Sequence, residues 1–393
     1  MGMWNKLDKS AHIVVAIGLL LITLAVNVSM PLFSVYAAAS QLTNGQTSLV
    51  FSAYVLGMVP CYIFLGGLSD RVGRKPVLIA SAFSALLATV IITIWPTVYA
   101  LIFARFFQGI ALGLGMGAGT AYMSELLFPQ PLASTRAAAL ASLFTAFGFG
   151  GGALATSLVL LIAFTLTPIT YYALIFVTAL GIVLLFNLPD LKPIGGKLIR
   201  MPYFPAGSLT VNTAIGICWA ATGIVISIIP TQLAKFGLTS YAGICLVLIN
   251  WTGGFIQPLI RSLSPVRSVR IGLLLVPIGF ALVILGCNSG ALLIVFAGAA
   301  IIGLAAYGFS YLGGLAIVAN LGGEQKARAV SGYMCFGYIG FGIPAICLGY
   351  LADHFGIISA LLVFEIIIVL LSVFLFYRTK AQSSNDTSLP QTV

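Results

Sequence analysis

The chain has 393 residues, 60% of them hydrophobic and only 7% charged, and carries a net charge of +10. Soluble domains carry about 25% charged residues, so there are too few charges here to cover a water-facing surface, and the composition is that of an integral membrane protein. Nucleic acid is excluded as the reason for the positive balance, because the basic residues are scattered between apolar runs rather than gathered on one face.

A membrane span needs about 20 mainly apolar residues. The run after Lys6 and Lys9 begins at Ile13 and continues past Leu24 to Val35 without a polar cleavage region, so it reads as a true span rather than a signal peptide. In chain order the predicted spans are 12–36, 47–67, 76–95, 98–122, 136–163, 168–188, 208–230, 241–261, 271–288, 291–318, 328–351 and 357–377. The expected domains are a six-helix half over 1–190, a cytoplasmic linker over 191–207, a second six-helix half over 208–380 and a disordered tail over 381–393. With the N-terminus placed inside, 16 of the 18 basic residues fall on the cytoplasmic side; the exceptions are Lys235 and Arg105. Positive residues are retained inside, so both termini are expected in the cytoplasm. All six cysteines lie in or beside apolar runs without paired spacing and are read as small buried hydrophobes.

The halves repeat. "RAAALASLFTAFGFGGGA" at 136–153 and "RAVSGYMCFGYIGFGIPA" at 328–345 share Arg136/Arg328, Phe144/Phe336, Gly148/Gly340, Phe149/Phe341 and Gly150/Gly342 in one register. This pairs span five with span eleven, as two related halves require.

Between spans two and three stands "GGLSDRVGRKP", in which Gly66, Asp70, Arg71, Gly73, Arg74 and Lys75 fill every main position of the signature loop of the major facilitator superfamily. The chain resembles that superfamily over essentially its whole length, including drug-efflux and sugar-porter-like bacterial members. "RFFQG" at 105–109 resembles its span-four signature. Glu125 with Arg136 resembles the charged pair that follows span four, and Glu324 with Arg328 is the counterpart in the second half. Two features depart from the pattern. Ser262 stands where the repeat would place the acid of a second signature loop, and span five has "GFGFGGG" without the proline of drug–proton antiporters.

The resemblance implies an all-α membrane protein of 12 transmembrane helices in two pseudo-symmetric halves. It also implies alternating access, with spans one, four, seven and ten lining a cavity. The expected function is secondary transport of a small organic solute, outward in direction, with protons as a candidate coupling ion. A sugar or organic-acid uptake permease and a non-transporting receptor are the alternatives. The expected location is the plasma (inner) membrane. An enzyme is not expected: there are two histidines, no paired acids or metal-spaced ligands within the spans and no nucleotide-binding loop. No cofactor or metal is expected. The expected partners are the solute, membrane lipid and protons, without nucleic acid, and the chain is read as a monomer.

Asp70 is expected to face the N-terminal end of span eleven as a gating latch. Arg71 would reach Glu125, and Arg74 and Lys75 would anchor to anionic headgroups. Within the spans, ionisable residues are costly and are read as functional. Arg105 is either a contact for substrate or coupling, or a structural arginine bonded to carbonyls near span one. Glu365 is either a proton carrier or a protonated packing group. Asn27, Gln108, Trp219, Tyr307 and Tyr311 complete the expected cavity, and their aromatic and amide groups suit a midsized amphipathic molecule. The glycines of span four, from Gly109 to Gly119, are read as a helix-packing ridge.

Overall fold

In the computed structural model, which describes residues 4–386, the chain is helical almost throughout, with no strand among the described residues. Among the described residues, eleven continuous apolar stretches are long enough to cross a membrane. The longest, Leu292–Phe355, has 64 residues and is far too long for one crossing at 1.5 Å per residue. It is broken at Gly323, whose φ of +49° is open to glycine and closed to most other residues. It therefore holds spans ten and eleven, giving twelve.

The first unit comprises the chain up to Leu42, Leu49–Met201 and Thr239–Val247. Its spans are Trp4–Asn27, Asn44–Phe64, Arg74–Ile94, Val98–Leu127, Ala133–Ile162 and Ile169–Phe186. Span one is extended past Pro31 by a short turn and the helix Phe33–Ala39. The second unit comprises Thr43–Ser48, Pro202–Leu238 and the chain from Leu248 on. Its spans are Leu209–Ala234, Ala242–Ile260, Pro265–Ser289, Leu292–Gly322, Lys326–Phe355 and Ile357–Asp386. Spans two and eight therefore each begin among residues of the other unit. The last helix runs to Asp386 where a tail was expected from 381, and 387–393 lie outside the described residues.

Local chemistry sets several ends. Thr97 accepts from Ala100 N–H at the start of span four, and Ser264 caps span nine with Pro265 at its first position. The repeat of the sequence is also visible. Spans five and eleven are both 30 residues long, with Arg136 and Arg328 in their first turns.

Burial separates central from peripheral helices. In span seven 89% of the apolar window is buried, against 28% in span twelve, whose Leu362, Ile366 and Leu370 remain exposed as a lipid-facing stripe. Five cysteines are buried as expected, but Cys347 is exposed, since it lies on the outer side of span eleven with Ile343 and Tyr350.

Span four packs through its glycines. A Cβ at Gly109 would overlap the Tyr54 carbonyl oxygen of span two, and one at Gly113 would overlap Cys61 and press on the Met58 carbonyl. Nothing lies within 4 Å of the corresponding point at Gly117. Backbone cannot retreat as a side chain end can, so Gly109→Ala should destabilise by about 2 kcal/mol or more, whereas Gly117→Ala should be neutral or slightly stabilising. Melting temperatures of the two purified variants in one detergent check this contrast.

Candidate functional site

The signature loop forms a short helix, Leu68–Val72, that ends at Gly73 with φ +102° before span three starts at Arg74. This turn, which needs a glycine, directs Arg74 inward and leaves Arg71 exposed. Arg74 is the hub: its guanidinium donates to Asp70, to Ser69 Oγ at 2.7 Å and to Glu125 Oε1 at 2.9 Å. Glu125 is thus held by Arg74, not by Arg71. Arg136 donates to Gln130 Oε1 at 3.1 Å, and Arg328 to Gln325 Oε1 at 2.8 Å. Glu324 is exposed. Arg136 and Arg328 thus each bond a glutamine close by in their own chain segment.

Asp70 also departs from expectation. One carboxylate oxygen is taken by Arg74 and the other by Arg200 of the linker. The linker is stitched to the loop at further points: Gly67 N–H donates to Leu198 O at 3.1 Å, Gly195 N–H to Asp70 O at 2.9 Å, and Lys75 Nζ lies 3.2 Å from Asp190. Arg74 and Lys75 are therefore engaged by carboxylates. Gly66 sits at the entry to this loop and is exposed.

In span four, Arg105 is only 2% exposed. It donates to Phe51 O at 3.2 Å, Val26 O at 3.1 Å and Gln108 Oε1 at 3.0 Å, and its guanidinium lies over the Phe51 and Tyr54 rings. Gln108 in turn donates to Ala25 O at 2.8 Å, and Asn27 donates to Phe149 O at 2.8 Å. Arg105 and Gln108 tie spans one, two and four, and Asn27 ties span one to span five. A guanidinium carries five donors and cannot shed its charge, so buried carbonyls gather around it.

The expected aromatic residues of the second unit do come together. Trp219 lies 5.4 Å from Tyr307 and 6.3 Å from Tyr311 between ring centres, the latter pair nearly parallel at 19°. Tyr338 meets Trp219 edge-on at 4.8 Å. Tyr338 was not singled out from the sequence, although it lies within the repeated "GYIGFG" segment. Glu365 is half-buried between exposed Val363 and Ile366, and its Oε2 has no hydrogen-bond partner among the described residues.

A second polar cluster, also missed, holds the start of span two. Thr43 and Gln46 form a reciprocal cap, Thr43 N–H to Gln46 Oε1 at 3.0 Å and Gln46 N–H to Thr43 Oγ1 at 3.3 Å. Asp353, at the end of span eleven, accepts from the next two amides, Asn44 N–H at 2.7 Å and Gly45 N–H at 3.0 Å, and from the Asn44 side chain at 2.9 Å. The Thr-x-x-Gln spacing was a readable cap signal; the acid from 309 residues away was not.

The Major Facilitator Superfamily model matches residues 15–264, well over half of the chain. The chain belongs to the Major Facilitator Superfamily. Its fold is that of solved members of this transporter superfamily. The nucleoside transporter NupG is 14% identical, with 94% of this chain and 98% of that one covered and a TM-score of 0.72. A D-xylose-proton symporter is 17% identical, with 93% and 97% covered and a TM-score of 0.69. A stretch of 64 residues is 39% identical to the multidrug resistance protein MdtL of Shewanella sp. (strain ANA-3), and that match spans 16% of either chain.

Two outcomes follow from the polar clusters of this superfamily member. Arg105→Lys keeps the charge but loses the planar fork, so it should lower the melting temperature by about 5 °C or more while the surviving protein keeps its solute affinity. Paired melting and binding measurements on one preparation read both. Asp353→Ala should leave two amides uncapped and speed hydrogen exchange over residues 43–48 by about tenfold, with exchange in span seven unchanged.

Proposed function

We propose that the chain is a secondary transporter that carries a small organic solute across a bacterial inner membrane by alternating access, with net outward movement and both termini in the cytoplasm. The observation that carries this reading is the way span two is held. Its first turn is clasped by Asp353 of span eleven, and the loop after its last turn is clasped by Arg74, Glu125 and Arg200. The Asp353 clasp consists of exposed polar contacts, and the loop clasp is a network that keeps Glu125 and Arg200 partly exposed, so both ends can exchange partners with water. A helix pinned at its two ends by such contacts suits a two-state equilibrium with a gap of only a few kcal/mol, which a bound solute can bias. Outward direction is supported by the 64-residue likeness to a multidrug resistance protein, and the placement of the termini by the distribution of basic residues.

Arg105, Gln108 and Asn27 act in this reading as struts. Solute contact falls to Trp219, Tyr307 and Tyr311. Glu365 acts as a neutral packing group, because a carboxylate beside a lipid-facing stripe would be costly and the protonated acid is not.

Counterflow of labelled solutes in proteoliposomes, with both vesicle orientations resolved, tests transport and direction. Failure of every solute in a broad organic panel to exchange would overturn the reading. Glu365→Gln should retain at least about half of the exchange rate and the same response to an imposed pH gradient, since Gln matches the neutral acid in size and charge. Loss of the pH response with exchange intact would instead make Glu365 the proton carrier.

A further inference from the structure

The second unit carries a groove on its outer side. About 260 Å³ of space runs between residues 213–220 of span seven, 336–344 of span eleven and 364–371 of span twelve. At 1.5 Å per residue it extends about 10–12 Å along each helix, so it is long and narrow. Two glycines open it. A Cβ at Gly340 would overlap the Gly216 carbonyl oxygen, so the two backbones touch and the floor carries no side chain there. The walls are almost entirely apolar, and the Thr213 hydroxyl is already spent on Leu209 O at 2.8 Å. A water in such a place needs two or more polar partners, and the groove offers none.

The mouth opens toward lipid. Ile339, Ile367 and Leu371 on its rim are exposed, beside the lipid-facing stripe of span twelve. The same face of that helix continues past Leu371 to Phe374 and Arg378, three and seven positions further on. Arg378 is exposed, its guanidinium lies 5.2 Å from the centre of the Phe374 ring, and it has no carboxylate partner among the described residues. From Phe364, at the deep end of the groove, to Arg378 is fourteen residues, about 21 Å of helix. One leaflet with its headgroups is half of about 40–45 Å. The two lengths agree.

We propose that spans seven, eleven and twelve bind one anionic phospholipid, with an acyl chain in the groove and the phosphate on Arg378. The lipid comes from the leaflet that holds the start of span seven and the end of span twelve. An acyl chain matches the groove because it is apolar, linear and already the surrounding medium. The cation selects an anionic headgroup and sets which leaflet supplies it. The site stands whether or not the chain moves a solute.

Native mass spectrometry of the purified, delipidated full-length protein reads binding one lipid at a time. The first equivalent of dioleoylphosphatidylglycerol should bind about tenfold or more tightly than the second. Glycerol 3-phosphate, which has the phosphate without the chains, should give no adduct. Arg378→Gln should weaken the first equivalent about fivefold and so bring it level with dioleoylphosphatidylcholine. Ile339→Trp fills the groove from its exposed rim and should weaken the first equivalent of both lipids about tenfold. Gly216→Leu fills it from the floor, where only Phe336 O lies within 4 Å of the added Cβ, and should have the same effect. Equal affinity for successive equivalents, wild-type affinity in either filled variant, or a phosphatidylglycerol preference kept by Arg378→Gln would overturn the site. So would a lipid-free dimer that Ile339→Trp dissociates, since the groove would then belong to a second copy of the chain.

Discussion

A polar group surrounded by apolar helices must find its partner inside the protein, because no water is available to supply one. This requirement governs the few polar residues of the chain. Arg105 draws the carbonyls of Phe51 and Val26 and the amide of Gln108 around its guanidinium, and so fixes where spans one, two and four meet. Gln108 and Asn27 extend the same knot to Ala25 and Phe149. The apolar surface around the knot is interchangeable between many packings; the directional bonds are not. They select one arrangement of the spans, and the glycines at 109 and 113 let the backbones come close enough to hold it.

At the ends of the spans the same physics acts in the presence of water, and its result differs. Several of the charged groups there stay in reach of water, so contacts can be exchanged. Asp70, Arg74, Glu125 and Arg200 join the signature loop to the linker, and Asp353 clasps the first amides of span two. Buried bonds hold the middle of the helices, and bonds partly open to water hold their ends. That division is suited to a molecule whose helices move as stiff rods while their ends exchange partners.

The second unit solves the polar problem in another way. Its central span seven carries no charged residue, and span ten departs from α geometry where Gln257, Ser268 and Tyr333 supply donors to its carbonyls. The two units therefore differ in chemistry at their centres: a bonded cation in the first, and a set of neutral rings around Trp219 in the second.

Much of this was legible from residue order. Apolar run length located the spans, most of their ends to within about five residues and those of spans one, nine and twelve less closely, because the hydrocarbon thickness sets a length that composition must meet. The signature loop and the Arg136/Arg328 repeat pointed to the superfamily. Trp219, Tyr307 and Tyr311 were drawn together by that reading and meet in space. The partners of charged side chains were not legible. Arg74 rather than Arg71 meets Glu125 because the turn at Gly73 rotates one inward and the other outward, and Arg200 reaches Asp70 from a linker with no periodicity to read. Asp353 meets Asn44 across 309 residues. The π-helical turn of span ten has no sequence signature, since it exists through donors on three other helices. Periodicity and length act along the chain and can be read there. Hydrogen bonds between helices are short and directional, so their partners are settled only once the helices have packed.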